Sequence, residues 1–400
     1  MISKEMERNI KENGGIREAF NEARRQKTLY GEENVFDLSI GNPSAPAPRK
    51  VVDVIKKLSE NVNLDHQYMC ESGYEEVRSK IAGWMNQKYK TSYGINNIIM
   101  TNGVAGGLNM VLRALLNPGD EVLVFRPYYP AYIGFAENWN GKIIEVDPGE
   151  DFQPDFEDLE GKITKRTKVV IVNSPHNPTG VIYTKETATK ISEILKSKQK
   201  EYGHAICLLS DEPYRDLVYI EEELPWWPDF YQNTIVSYSF SKSLSLAGER
   251  IGYLTTEFED SENVIKAVRL AMGRLGFVNA PALFQRIVGE CIDEQVDLEY
   301  YAKNREILYG TLKQCGYECI EPKGAFYIFV KAPDNNEERF LELARKRHLI
   351  FVGGSSFGYS GYVRLSFCCK YEVLQRAADA LKQLADDCKI NSISTIYEYR

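Results

Sequence analysis

The most reactive arrangement in the sequence is a lysine set among hydroxyls, Ser239-Phe240-Ser241-Lys242-Ser243, with Arg250 eight residues beyond it in Gly248-Glu249-Arg250-Ile251-Gly252. The stretch follows an apolar run, so Lys242 stands at the carboxyl end of an expected strand, where open α/β sheets meet ligands. A lone loop lysine is ordinarily solvated. Serines and a guanidinium beside it could instead hold a phosphate next to a nucleophilic amine. Three further polar groups follow apolar runs. Asn102-Gly103-Val104-Ala105-Gly106-Gly107 precedes a helical pattern, and backbone N–H groups at a helix start bind anions. Asn173-Ser174-Pro175-His176-Asn177-Pro178-Thr179-Gly180 is a turn by composition. Asp211-Glu212-Pro213-Tyr214 places a carboxylate at a buried strand end, where it needs a cationic partner. Strand ends of one parallel sheet lie side by side, so these four groups converge on one crevice. The spacing is neither a dinucleotide fingerprint nor a P-loop.

The elements that must position these groups are legible as seven apolar runs: 98–101, 121–125, 142–146, 168–172, 205–209, 234–238 and 252–255. Helical patterns separate several of them, notably 185–198, and helical periodicity dominates 261–314. This alternation predicts an α/β fold with a mainly parallel, seven-stranded sheet flanked by helices. Toward the C-terminus the pattern changes to strands near 325–330 and 362–365 and helices near 337–347 and 371–389. Val373, Leu374, Ala377, Leu381, Leu384 and Cys388 form one stripe on the last helix. At the N-terminus a charged amphipathic helix with Ile16, Phe20 and Ala23 on one face leads to a strand over 35–40. The expected organisation is a large domain, 46–290, and a smaller α+β domain, 291–400, against which the N-terminal segment 1–45 packs.

Composition excludes several function classes. With 49 basic and 57 acidic residues the net charge is −8, which disfavours an electrostatic grip on nucleic acid or an anionic membrane. No stretch approaches 18 uninterrupted apolar residues, and residues 1–13 lack the apolar core of a secretory signal. Eight cysteines without a Cys-x-x-Cys, beside four histidines, argue against structural zinc; no metal site is expected. Reduced thiols in a cytoplasm are the reading.

Taken together, the motifs resemble the class I/II aminotransferases among the fold-type I pyridoxal-phosphate enzymes, the branch similar to aspartate aminotransferase. The resemblance runs from Gly41 to Arg364. It implies a cofactor, pyridoxal 5'-phosphate, held as a Schiff base on Lys242. It further implies that Asp211 pairs with the ring nitrogen and that Asn177 and Tyr214 hydrogen-bond the phenolic oxygen. Ser239, Arg250 and the amides of Val104 and Ala105 would hold the phosphate, and Tyr129 would stack on the ring. Arg364 in Tyr362-Val363-Arg364-Leu365-Ser366 matches the arginine that clamps the substrate α-carboxylate, a task suited to a planar guanidinium. Gly41 and Gly324-Ala325-Phe326-Tyr327 match segments lining the substrate side. Tyr68 matches a tyrosine that reaches the phosphate of a neighbouring subunit, implying a homodimer with shared active sites. One departure is visible: the turn at 103–105 has no hydroxyl, so phosphate contact there would be through backbone alone.

The expected activity is transfer of an amino group from an L-amino acid to a 2-oxo acid, with small-molecule substrates and neither nucleic acid nor membrane as partner. Two alternatives remain open on the residues: a β-eliminating carbon–sulfur lyase on the same fold, and a non-catalytic cofactor-binding regulator. The resemblance also offers a specificity residue. Arg274, five residues before Asn279, matches an arginine that crosses the dimer interface to bind a distal carboxylate, implying preference for aspartate or glutamate.

Overall fold

The computed structural model describes residues 1–12, 14–258 and 261–389; Asn13 and residues 390–400, assigned above to the N- and C-terminal segments, lie outside the described residues. In chain order the elements are α1 (Lys4–Glu12), α2 (Gly15–Tyr30), β1 (Phe36–Asp37), α3 (Arg49–Ser59), α4 (Glu75–Tyr89), β2 (Ile98–Thr101), α5 (Gly103–Leu115) and β3 (Glu121–Phe125). There follow α6 (Ala131–Glu137), β4 (Lys142–Val146), α7 (Phe156–Lys162), β5 (Thr167–Asn173), α8 (Lys185–Tyr202), β6 (Cys207–Asp211), β7 (Thr234–Ser239), α9 (Phe240–Ser243) and β8 (Gly252–Glu257). The remainder is α10 (Ser261–Arg274), α11 (Ala282–Glu290), α12 (Leu298–Gln314), β9 (Tyr327–Lys331), α13 (Glu337–Lys346), β10 (Leu349–Ile350), β11 (Val352–Gly353), β12 (Tyr362–Ser366) and α14 (Tyr371–Asp387).

Seven strands form one sheet in the order β2-β8-β7-β6-β5-β3-β4. All neighbours run parallel except β8, which is antiparallel to both β2 and β7. The central strands are apolar on both faces: Val169, Val170, Ile171, Val172, Leu208 and Leu209 are all buried, as a sheet covered by helices on each side requires. Register sets the polar ends in a row, with Asn173 opposite Asp211 and Asp211 opposite Ser237.

A three-stranded antiparallel sheet, β11-β12-β9, lies in the C-terminal part, and β1 pairs with β10 in parallel, so the N-terminal segment is stitched to that region. Helix α14 buries Leu374, Ala377, Leu381, Leu384 and Cys388 as expected, whereas Val373 stays half-buried and Ala380 and Ala385 join the stripe.

Two N-terminal expectations need correction. The strand over 35–40 shrinks to Phe36–Asp37, because the Asp37 carboxylate accepts hydrogen bonds from the Ser39 amide (3.2 Å) and hydroxyl (2.6 Å), a local turn that competes with the ladder. The buried face of α2 is Ala19, Ala23 and Gln26, with Phe20 42 % exposed. Positions 16, 19, 23 and 26 follow the helical repeat, and Phe20 falls beside that stripe.

Candidate active site

The carboxyl ends of β5, β6 and β7 and the start of α5 open on a chamber of about 300 Å³. Its walls include Gly41, Val104, Ala105, Tyr129, Asn177, Asp211, Tyr214, Ser239, Lys242, Arg250, Tyr327 and Arg364. The structure thus brings together eleven of the expected site residues and Tyr327 of the expected substrate-side segment. It does not bring Tyr68 or Arg274 there within one chain: Tyr68 is 88 % exposed, and Arg274 is exposed at the last turn of α10.

Lys242 is aimed inward by the four-residue helix α9, which starts directly at the end of β7 and is capped by Ser239, whose Oγ accepts from the Ser241 amide. Its Nζ donates to the Gly41 carbonyl at 2.5 Å. Gly41 can sit this close because it lacks a side chain; a Cβ there would collide with the Tyr327 hydroxyl. Burial pushes the Lys242 ammonium down to about 8, and the nearby charges of Arg250 and Arg364 act in the same direction.

Asp211, at the end of β6, lines the same chamber and is buried. Its Oδ2 accepts from the Tyr132 hydroxyl at 2.5 Å, and its Oδ1 has no hydrogen-bond partner among the described residues. Among the described residues none forms an ion pair with it. Burial pushes this carboxyl up from 3.8 to about 7; the Tyr132 bond opposes the shift and Glu212 adds to it. Such a group favours a cationic N–H placed against Oδ1.

Arg364, in the middle of β12, is buried without a carboxylate partner among the described residues. Its guanidinium donates to Asn177 Oδ1 at 2.9 Å and to the Ser39 carbonyl at 2.5 Å, and lies 4.4 Å from the Tyr327 ring centroid. Nε has no partner. A fixed, uncompensated guanidinium is suited to a planar anion. Asn177 is itself anchored, its amide donating to Asn173 Oδ1 at 2.8 Å, and the Tyr214 and Tyr327 hydroxyls meet at 3.0 Å.

On the remaining side, α5 begins at Gly103, whose φ is +72°. A Cβ there would come within 2.8 Å of the Arg250 guanidinium, so glycine keeps open a cup bounded by Val104, Ala105, Ser239, Ser241 and Arg250. Helix-start amides, hydroxyls and an arginine are the chemistry that suits an oxyanion.

Several residues that line the chamber or back its walls escaped the sequence reading. Tyr132, three residues past Tyr129, could have been suspected from that spacing in a short helix, and Asn173 from its place at the strand end. Ser241, one of the serines beside Lys242 read as able to hold a phosphate, lines the chamber although the resemblance named only Ser239 for that task. Ile16 reaches the chamber from α2, over 200 residues upstream of Lys242, and nothing local marks it.

Comparison with known proteins agrees with this geometry. Residues 33–381 match the family model for aminotransferase class I and II. An aspartate aminotransferase of Thermotoga maritima is 30% identical, over 90% of this chain and 94% of its own length. A probable N-acetyl-LL-diaminopimelate aminotransferase of Bacillus subtilis is also 30% identical, over 88% and 89%. The crystal structure of an aminotransferase from Eubacterium rectale superposes with a TM-score of 0.93 at 38% identity, covering 98% of this chain and all of that one.

Proposed function

The chain belongs to the class I and II aminotransferases, and on that premise we propose that this chamber binds pyridoxal phosphate and moves the amino group of an L-amino acid to a 2-oxo acid. The observation that carries the reading is that Lys242 and Asp211 line one chamber, each with its ionisation shifted by burial. The residues fit the cofactor. The unpartnered Asp211 Oδ1 suits a protonated ring nitrogen, and the cup at Gly103 suits the phosphate, held by Ser239, Arg250 and the amides of Val104 and Ala105. Tyr129 would offer a ring face, while Asn177 and Tyr214, which line the same chamber, would donate to a phenolic oxygen. Bound there, pyridoxal phosphate supplies an electron sink that acidifies the α-proton of an attached amino acid.

Arg364 receives the substrate α-carboxylate, replacing its water with two guanidinium hydrogen bonds. With that end fixed, Cα is turned toward Lys242. With its acidity near pH 8, a usable fraction of Nζ is neutral at physiological pH, so this amine takes the proton from Cα and returns it. Asp211 stays ionised when a positive N–H is placed against it, holding that proton in position.

The assembly we propose is a homodimer with shared sites, in which Tyr68 reaches the second copy's phosphate. The exposed apolar side chains Val62, Leu270 and Val278 support such a contact. The N-terminal segment packs with a smaller domain that includes the described residues from 291 to 389, a division supported by the β1–β10 pairing. Eight unpaired cysteines suit a reducing cytoplasm.

The test is chemical. Borohydride reduction of the holoenzyme and peptide mapping should place the pyridoxyl group on Lys242; any other lysine overturns the reading. Lys242→Ala should retain noncovalent cofactor without turnover.

A further inference from the structure

A second cavity, of about 490 Å³, adjoins the chamber, and Ile16 and Tyr129 are wall to both. Its far side is formed by Ile133 and Gly134 of α6 and by Ser355 and Ser356 in the turn after β11. No lysine or arginine is among its described lining residues. The charged side chain there, Glu137, already meets Arg8 at 3.0 Å.

Resting on the aminotransferase reading above, the geometry points to this cavity as the subsite for the distal part of the donor's side chain, and to elongated uncharged side chains, methionine- or norleucine-like, as the class it takes. Arg364 and Lys242 fix the carboxylate and Cα, so the side chain must leave the chamber through a remaining wall. Ile16 and the Tyr129 ring offer apolar contact along the first carbons. Beyond them lies a volume larger than the chamber itself, with apolar Ile133 on one side and two serine hydroxyls on the other. A distal carboxylate would enter this space, give up its hydration and find no cation among the described lining residues. Arg274 of one chain is exposed at the end of α10 and does not line either cavity.

Gly134 supplies the test. A Cβ added at this position meets nothing within 4 Å, so Gly134→Phe starts in open space, and Gly134 lines this cavity but not the chamber that holds Arg364, Lys242 and Asp211. The holoenzyme would be assayed for kcat/KM with alanine, norleucine, methionine and glutamate against a common 2-oxo acid. Binding of hexanoate and of glutarate would be measured by calorimetry. Norleucine and methionine should exceed both alanine and glutamate by on the order of tenfold, the scale of discrimination from added methylenes in an apolar pocket. Hexanoate should bind more tightly than glutarate. Gly134→Phe should remove the norleucine advantage and the hexanoate advantage while leaving alanine within about twofold. Preference for glutamate or glutarate, the outcome if Arg274 of a second copy supplies a cation, overturns the proposal. So does an equal loss for alanine and norleucine in the variant. If no donor reacts, alanine included, the aminotransferase reading itself fails, a result distinct from conversion of alanine without preference for long side chains.

Discussion

Asp211 and Glu212 are neighbours in the chain and both are buried, yet they meet opposite surroundings. Behind the sheet, Glu212 accepts from Ser210 Oγ and from Arg215, both at 2.8 Å. Arg215 is satisfied in turn by the Tyr89 hydroxyl and the Pro225 carbonyl, with the Tyr89 and Trp226 rings about it at 4.9 and 5.1 Å. In front, Asp211 has one tyrosine hydroxyl and an unpartnered oxygen, facing a chamber that also holds Lys242 and Arg364. The rear is an electrostatically closed structural unit. The front keeps its positive and negative groups apart, so that a ligand carrying both signs is what completes it. Burial acts on both carboxylates, but only the rear one has a guanidinium to offset it.

The contrast can be broken most strongly from behind. Arg215→Met should leave Glu212 buried and unpaired, lowering the unfolding free energy by about 3–5 kcal/mol in urea titrations. The paired change Arg215→Met with Glu212→Gln should recover most of that loss.

A smaller, pH-dependent effect is expected in front. Below about pH 4 Asp211 is protonated in both folded and unfolded chains. Between about 4 and 7 the unfolded chain gives up its proton first, so stability contributed by the neutral carboxyl is lost as pH rises through its folded value of about 7. Asp211→Asn should therefore be more stable than the cofactor-free wild type at pH 7.5, by at most ~4 kcal/mol for a shift of about three units, with the difference vanishing near pH 4. The same variant should lose most turnover. A wild type and variant with parallel stability curves from pH 4 to 7.5 would contradict the assigned burial cost.

The finest adjustment is Tyr132→Phe. Removing its hydroxyl takes away a bond that stabilises ionised Asp211, worth about 1.5–3 kcal/mol for a hydrogen bond to a charge. The midpoint of the Asp211 titration, followed by carboxyl NMR in cofactor-free protein, should move upward; an unchanged midpoint would separate the two residues.

The front was far more legible in sequence than the parts that enclose it. Lys242, Asp211, Asn177 and Arg250 lie in short motifs at the ends of apolar runs, because a parallel sheet delivers its ligand groups at strand ends and turn chemistry marks those ends. Strands β2, β3 and β4 were delimited to the residue, since each is a short apolar run between turn signals. Helices α3 and α4 were not assigned, and β10 and β11 are two residues each, too short for any periodicity to register. Ile16 and Ser39 reach the chamber region through pairings such as β1 with β10, which join segments some 300 residues apart. Residue spacing encodes local geometry; closure by distant segments is a property of packing, and one chain's spacing does not record it. The Arg215 unit was likewise unread, since nothing in Asp211-Glu212-Pro213-Tyr214-Arg215 tells which carboxylate turns to which side.

The antiparallel strand β8 has a consequence for how the protein is made. Among the described residues β2, which leads into the cup at Gly103, pairs in the sheet with β8 alone, and β8 is also the outer neighbour of β7, which leads into α9 and Lys242. On a ribosome, β2 emerges roughly 150 residues before the strand that must be inserted between it and β7. A nascent chain ending anywhere short of β8 therefore holds its glycine cup and its lysine on separate, unjoined edges. Chain growth orders the events: the sheet's centre can assemble early, while the two halves of the cup between Gly103 and Arg250 meet only after about two-thirds of the polypeptide has been synthesised.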